Sequence, residues 1–559
     1  MQGRKTFTPK MLYSVSLQEM VPINNFYRRL LSLIDFHWIY KQTASYYGSE
    51  GQGSIDPVVF FKILLVGYIN NIASDRKLID FCSDSLAIRL FLGYDIDEPL
   101  PWHSTISRTR QLYGEKVFQQ LFEKVFEKCV DSGMVAGHTQ AIDGAFLKAN
   151  ASKDSLEIKK VDTCVDEYLL EQIKANTEPI RPAAINRAPE EQQHMQGDKE
   201  EQTRQLKELN TRYERQTRQY EEMPGDDRKG KFLSNKTHYS PTDPDARIAV
   251  KPGKPRELYY SGQIAVDTGK HVITHAQTVL AEGRDGNCLK TIVNQTKQRL
   301  EQHGLHIKNA LADAGYSSGE NYFYLNQENI NAYIPLLGGA LIGSEGFVYD
   351  EQSDCYICPN NKLLKGSGRI VDDGKGPVKK YFSLKSDCDV CPFRSNCISA
   401  KAKTKKVQHS YYKWLLDEAK ERAASAKGQS MKRRRSATVE PVWGTLINFT
   451  AVKRINARGL SAANKCLILA ATCYNLKKWM KHILKDSNQN LQALSKQAKT
   501  SLANSFNTLS ALIKACLRPG HVYRLIFNKK EKRKTNRYHY PYILQSRYRK
   551  NYNVRTLTF

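Results

Sequence analysis

The chain runs to 559 residues, several times the length of a typical domain, so two to four domains and a sizeable core are expected. Lysine and arginine number 85 against 57 aspartates and glutamates, a formal charge of +28, which favours a polyanionic partner, nucleic acid before a membrane surface, although charge alone would also fit a ribosome-associated protein. The basic start MQGRKTFTPKMLYS lacks the apolar stretch of a secretory signal, and apolar runs such as Val58 to Val66 are too short to span a bilayer, so a cytoplasmic protein with no membrane partner is expected.

Residues 1–135 read as an all-helical N-terminal domain, because VVFFKILLVGYI and LIDFCSDSLAIRLFLGY carry apolar residues at three-and-four spacing. In PWHSTISRTRQLYG, Ser104 is the expected N-cap of a short helix bearing Ser107, Arg108 and Arg110, as in the reading helix of a helix-turn-helix. An ordinary capped, solvated helix would leave the same pattern. On the first reading Arg108 and Arg110 contact DNA.

Residues 136–153 contain a buried strand, HTQAIDGAFLKANAS, with one carboxylate, Asp143. Residues 154–245 interrupt it with a highly charged stretch that reads as an exposed helix, weak coiled coil or linker. Period-two pattern resumes in residues 246–340, where ELYYSGQIAVDTGKHVITHAQTVL gives a hairpin about Asp267-Thr268-Gly269. The helix LKTIVNQTKQRLEQH follows, then the strand of IKNALADAGYSS ending in Asp313, and after another helix the strand of NAYIPLLGG.

Residues 341–406 form a Cys-rich insertion. The chain has twelve cysteines, too few for a disulfide scaffold at this length, and five of them cluster here, which suits metal binding in a reducing compartment. Cys355-x2-Cys358 and Cys388-x2-Cys391 resemble the two knuckles of a zinc ribbon with four thiolates. Cys397 is a fifth candidate, so the ligands are four of these five, the alternative being unliganded buried thiols. Residues 407–485 return to helical pattern with Glu440 in TVEPVWGTL, followed by the amphipathic AANKCLILAATCYNLKKWMKHIL. Residues 486–559 form a basic tail in which positions 518 to 559 hold twelve Lys or Arg against one Glu, interleaved with tyrosines, a mixture suited to nucleic-acid contact or, alternatively, to solubility.

Two carboxylates on neighbouring strands and a third on a later helix are what a two-metal phosphoryl-transfer site requires. The ordered motifs AIDGAFLKANAS, ADAGYSS and RRRSATVEPVWGTL, with SIDPVVFFKILLVGYI and WHSTISRTR upstream and ARGL and NLKKW downstream, resemble the RNase H-like DDE transposases of bacterial insertion sequences. The closest likeness is to the long-chain type numbered eleven eighty-two. The resemblance implies an α/β chain whose mixed-sheet, RNase H-like catalytic core carries the helical N-terminal domain, the charged helical insertion and the zinc-ribbon-like insertion.

The resemblance also implies a cut-and-paste DNA transposase that binds terminal inverted repeats. Asp143, Asp313 and Glu440 would hold two Mg2+ or Mn2+ ions, with double-stranded element-end and target DNA as partners. A homo-oligomer on paired ends, working at the nucleoid, is the family expectation. Related transposases often carry a Lys seven residues after the Glu to touch end phosphate; this chain has Ile447 there, and Lys453 is the candidate substitute. Arg435 is the basic residue expected shortly before the Glu, able to clamp a phosphate bidentately. A nuclease or resolvase without strand transfer, and a non-catalytic DNA-binding regulator, are the rival readings.

Overall fold

The computed structural model describes residues 16–48, 54–158, 234–235, 238–250, 256–337, 346–372, 376–399 and 401–485. Most of the charged insertion at 154–245 and the whole basic tail lie outside these residues, as does the segment before Ser16. No helix among the described residues is long and apolar enough to cross a membrane.

The N-terminal region is helical, as its periodicity predicts: α1 Leu17–Met20, α2 Phe26–Leu33, α3 Trp38–Thr43, α4 Pro57–Ile69, α5 Asp75–Asp84, α6 Leu86–Leu92, α7 His103–Leu112 and α8 Glu115–Asp131. Helix α4 starts where the sequence allows little else. The Asp56 side chain accepts from the Val58 and Val59 amides, and Pro57 takes the first turn, where its missing N–H costs nothing. Its residues from Phe60 to Gly67 are all buried. Even Lys62 is enclosed, its ammonium lying over the Phe36 and Phe91 rings at 5.6 and 5.2 Å, and burial lowers its pKa. Helix α8 buries one stripe, Val117, Phe118, Leu121, Phe122, Val125, Phe126 and Cys129.

One expectation in this region fails. Helix α7 begins at His103 with Trp102 in the cap position and no side-chain cap bond, so Ser104 stands inside the first turn. There its carbonyl and hydroxyl receive the Arg108 guanidinium at 3.5 and 3.4 Å.

The core sheet is mixed and six-stranded. Its strands are β1 Thr139–Lys148, β4 Arg247–Ala249, β5 Glu257–Asp267, β6 Ile273–Leu280, β7 Asn309–Leu311 and β8 Asn331–Tyr333, in the order β4-β5-β1-β7-β8 with β6 also on β5. β1, β5 and β6 are antiparallel neighbours, while β7 and β8 run parallel to β1. Helices α9 Leu289–Glu301 and α10 Gly319–Gln327 connect the later strands. The hairpin turn is anchored by Asp267, fully buried, whose carboxylate accepts from the amides of Gly269 and Gly137 at 2.8 Å each. A two-stranded ladder, β2 Glu157–Ile158 with β3 His238–Tyr239, stands at the two ends of the charged insertion.

The Cys-rich insertion is a five-stranded antiparallel sheet: β9 Val348–Asp350, β10 Cys355–Ile357, β11 Leu363–Asp372, β12 Pro377–Ser383 and β13 Lys406–Ser410, with α11 Lys385–Asp389 and α12 Arg394–Cys397 between the last two. Its small core is Tyr356, Leu364, Tyr381 and Val407. β13 carries this sheet on to Ser410, past the boundary at 406 that composition suggests.

Helices α13 Lys413–Ala424 and α14 Ala426–Phe449 return the chain to the core sheet, α14 burying Val439, Val442, Trp443 and Leu446. The closing helix, α15, occupies residues 460–485. Its start is tied by Asp243 and Asp245, which accept from the amides of Gly459 at 3.0 Å and Leu460 at 2.8 Å. Asn475 in its middle both donates to and accepts from the backbone of Ile273, at 2.8 and 2.9 Å, so the helix is hydrogen-bonded to β6 through the core. These contacts account for the ARGL and NLKKW motifs as structural.

Candidate active site

Asp143 sits in the middle of β1, opposite Ile264 of β5. Parallel pairing sets Ala141 of β1 against Leu311 of β7. That is the last pair of the ladder: β1 runs on two residues to Asp143, and the other chain leaves β7 and reaches Asp313 two residues later, so both acids follow the same end of the paired segment. Asp313 then caps a short 3-10 turn, Ala314–Tyr316, its Oδ1 accepting from the Gly315 amide at 2.9 Å. The ADAGY motif is thus a strand end, a turn and a buried tyrosine in succession.

Tyr316 is fully buried. Burial first, and then the nearby carboxylates of Asp285, Asp143 and Asp313, hold its hydroxyl pKa well above the ordinary value, so it keeps its proton. It donates that proton to the side-chain carbonyl of Gln263, a fully buried residue of β5. Asp285, Gln263 and Tyr316 are members of this cluster that the sequence reading missed. A glutamine in the middle of the apolar run YYSGQIAVD was the available signal.

Helix α14 packs across β1, β5, β7 and β8. It brings the Arg435 guanidinium to 3.6 Å from Asp143 Oδ1, the two side chains 17% and 18% exposed. Glu440 lies further along the same helix, on its exposed side, beside Pro441. Pro441 has no N–H for the Ala437 carbonyl one turn back. Among the described residues no three His, Cys, Asp or Glu side chains are grouped closely enough to hold a metal ion as they stand, so Glu440 is not gathered with the two aspartates. By donor chemistry the pair fits a hard divalent cation, which takes carboxylate oxygen and retains water.

The residues expected to contact DNA fall in different places. Arg108 is exposed on α7, next to exposed Ser107 and Trp102. Arg110 is instead committed to Asp75, donating through both terminal nitrogens at 3.0 and 2.6 Å, with each side chain 16% exposed. That carboxylate raises the Arg110 pKa against the opposing effect of its burial. Its fork is taken up by Asp75 inside the fold, whereas Arg108 on the same helix is exposed. Lys453 is exposed, and its carbonyl accepts from the Lys148 amide at the far end of β1, five residues from Asp143. Ile447 is half-buried and packs against the core.

In the insertion, the Cys358 thiol accepts from the Lys362 amide at 3.3 Å, and Asn360 of the same turn donates to the Cys391 thiol at 3.7 Å. Burial raises the Cys397 thiol pKa, Lys405 lowers it, and Cys388, Cys391 and Cys358 raise it, while among the described residues no three thiols are grouped closely enough to hold a metal ion as they stand. Cys355 is buried on β10 with its sulfur 3.1 Å from Ser353 Oγ and is not among the thiols that act on Cys397.

Comparison with known families agrees with this architecture. Residues 15–112 match the family described as transposase domain (DUF772), which covers the helical region through α7. Residues 357–480 match the family described as transposase DDE domain, which spans most of the Cys-rich sheet, Arg435, Glu440 and most of α15. Asp143 and Asp313 precede that second match. No curated protein matches the chain. A DDE domain implies an RNase H-like core, in keeping with the mixed sheet and its central, acid-bearing β1. Both matches are to transposase domains, and together they support a DDE transposase of the bacterial insertion-sequence kind.

Proposed function

We propose that the chain binds the terminal inverted repeats of its element, cleaves there and joins the freed 3′ ends to target DNA, with Asp143, Asp313 and Glu440 holding two divalent ions. The observation that supports the reading is that Asp143 and Asp313 each follow by two residues the last pair of the parallel β1–β7 ladder, with Arg435 of the basic helix α14 3.6 Å from Asp143. Bound magnesium supplies Lewis-acid activation of the attacking oxygen and stabilisation of the leaving one. Asp143 would fix where that chemistry occurs from within β1, and Asp313 from the hydrogen-bonded turn that follows β7. Glu440 completes the set by a shift of its exposed side chain toward the strand ends when the cations and DNA arrive.

Arg435 balances Asp143 before loading and is then free to donate to a phosphate. Lys432, Arg433 and Arg434, all exposed on α14, line the approach to the site. Arg108 contacts end DNA from α7, and Lys453 lies along the duplex beyond the far end of β1. The protein works as an oligomer on paired ends, in the cytoplasm at the nucleoid.

In the insertion a structural zinc is held by Cys358, Cys388, Cys391 and Cys397. The influence of Cys358, Cys388 and Cys391 on Cys397, and the Asn360 contact from the Cys358 turn to Cys391, support this set, and thiolates are the donors a tetrahedral zinc takes. Closing the site needs the four sulfurs to draw in around the ion, with Cys355 left on its strand.

The test is incubation of the full chain with the inverted repeats flanking its gene and a second duplex, in magnesium or chelator. Magnesium-dependent release of a 3′ hydroxyl end and its joining to the second duplex is the expected result. Release without joining makes the protein a nuclease, and binding without either makes it a regulator.

A further inference from the structure

Gln263 pairs with Gly144 across β5 and β1, so its side chain lies on the sheet face opposite that of Asp143. Its amide nitrogen donates to Ser261 Oγ at 3.0 Å and to Asp285 Oδ1 at 2.8 Å, while its carbonyl accepts from Tyr316. Every hydrogen-bonding position the buried amide needs is taken, and its orientation is fixed. Asp285 is thereby held over Gly144. A Cβ on Gly144 would stand 2.5 Å from Gln263 Nε2 and 3.0 Å from Asp285 Oδ1, so the missing side chain next to Asp143 is what admits this carboxylate. A Cβ on Gly315 would stand 3.0 Å from Asp313 Oδ1 and 3.6 Å from Asp285 Oδ2. Asp285 and Asp313 therefore reach the same point of the backbone from different elements.

An acceptor for Gln263 alone would be served by a neutral asparagine. A further negative charge near Asp313 is unfavourable in isolation, and among the described residues the carboxylate paired with Arg435 is that of Asp143. Among the described residues no donor is paired with Asp285 Oδ2. We propose that Asp285 is a fourth acidic residue of the site, a positioning residue that accepts a hydrogen bond from water on the catalytic cation at the Asp313 side. Magnesium keeps several of its waters, and groups that orient such outer contacts typically change metal affinity by about 10–100-fold. The inference rests on Asp143 and Asp313 being the metal-holding pair.

Mn2+ binding to the full-length chain, followed by electron paramagnetic resonance without DNA, tests it alongside the Mg2+ concentration for half-maximal end cleavage. Asp143→Asn is expected to abolish Mn2+ binding. Asp285→Asn keeps the shape and the Gln263 hydrogen bond, and is expected to raise both half-saturation concentrations about tenfold or more with no change in thermal unfolding midpoint. Gln263→Met, which frees Asp285, is expected to shift both in the same direction by less. Wild-type Mn2+ binding by Asp285→Asn, with binding lost in Asp143→Asn, overturns the role of Asp285 and leaves the metal pair standing. Wild-type binding by both variants overturns the metal pair and this inference with it.

Discussion

The Arg435 guanidinium stands 3.6 Å from the Asp143 carboxylate in a setting where both side chains are mostly shielded from water. A cation entering the site competes with that arginine for the same oxygen. Arg435→Gln should therefore lower the Mn2+ concentration needed for half-saturation without DNA. Cleavage at saturating Mg2+ should nevertheless slow about tenfold or more, because a charge-assisted contact to phosphate is lost. Unchanged values for both would show the pair to be incidental.

Asp143→Asn, Asp313→Asn and Glu440→Gln should each reduce end cleavage by at least about a hundredfold while leaving end binding within about twofold. Each removes one metal-holding charge and little of the surface that neutralises phosphate. A gel-shift assay beside a cleavage assay separates the two. Cleavage near wild type in Glu440→Gln would show that exposed Glu440 is not the third ligand.

The two arginines of α7 should part company. Arg110→Ala leaves Asp75 without its partner in a shielded site and should destabilise the fold by about 3 kcal/mol, measured by urea unfolding. Arg108→Ala should leave stability within about 0.5 kcal/mol. It should weaken end binding and make the slope of log affinity against log salt shallower by about 0.9. An unaltered salt slope would remove Arg108 from the interface.

Zinc should be found at close to one ion per chain. Cys358→Ser, Cys391→Ser and Cys397→Ser should each lower zinc content and the stability of the insertion, because structural zinc contributes folding free energy directly. Cys355→Ser should keep its zinc. Loss of metal from Cys355→Ser with retention in Cys397→Ser would reverse the ligand assignment.

His275 gives stability a pH dependence. Burial, then the charge of Arg299, lowers its pKa to about 3, while in the unfolded chain it titrates near 6.5. Below pH ~6.5 the unfolded state takes up a proton that the folded state refuses, so stability is full above that pH and falls as pH drops toward 3. Between pH 6.5 and 5 the loss from this one residue approaches about 2 kcal/mol. His275→Gln should flatten that part of the unfolding free-energy profile, and an unchanged slope would assign it to other groups.

Strands β1 and β7 were legible as apolar runs, with a single acid inside the first, Asp143, and one just past the second, Asp313. Register then made neighbours of residues 170 positions apart in the chain. The pairing of Arg110 with Asp75 was not legible because Asp75 lies 35 residues away on another helix, beyond any local spacing rule. Asp285 was invisible for a similar reason. Its position depends on Gly144 lacking a side chain and on the orientation of Gln263, and neither relation is periodic. Cys355 and Cys397 could not be ranked from spacing, and the burial of Cys355 on β10 is a tertiary fact that spacing does not carry.

The ladder of β2 and β3 has a consequence for how this gene can vary. Glu157 pairs with Tyr239, and the tyrosine hydroxyl donates to that glutamate at 2.9 Å, so the chain leaves the core and re-enters it at one doorway. Closing a loop across such a doorway costs only about 0.6 kcal/mol more for each doubling of its length. The interval between the two strands can therefore grow, shrink or be exchanged between related elements with little effect on the sheet that carries the acids. A change of length between Ile158 and His238 bears on the core sheet only through this short ladder.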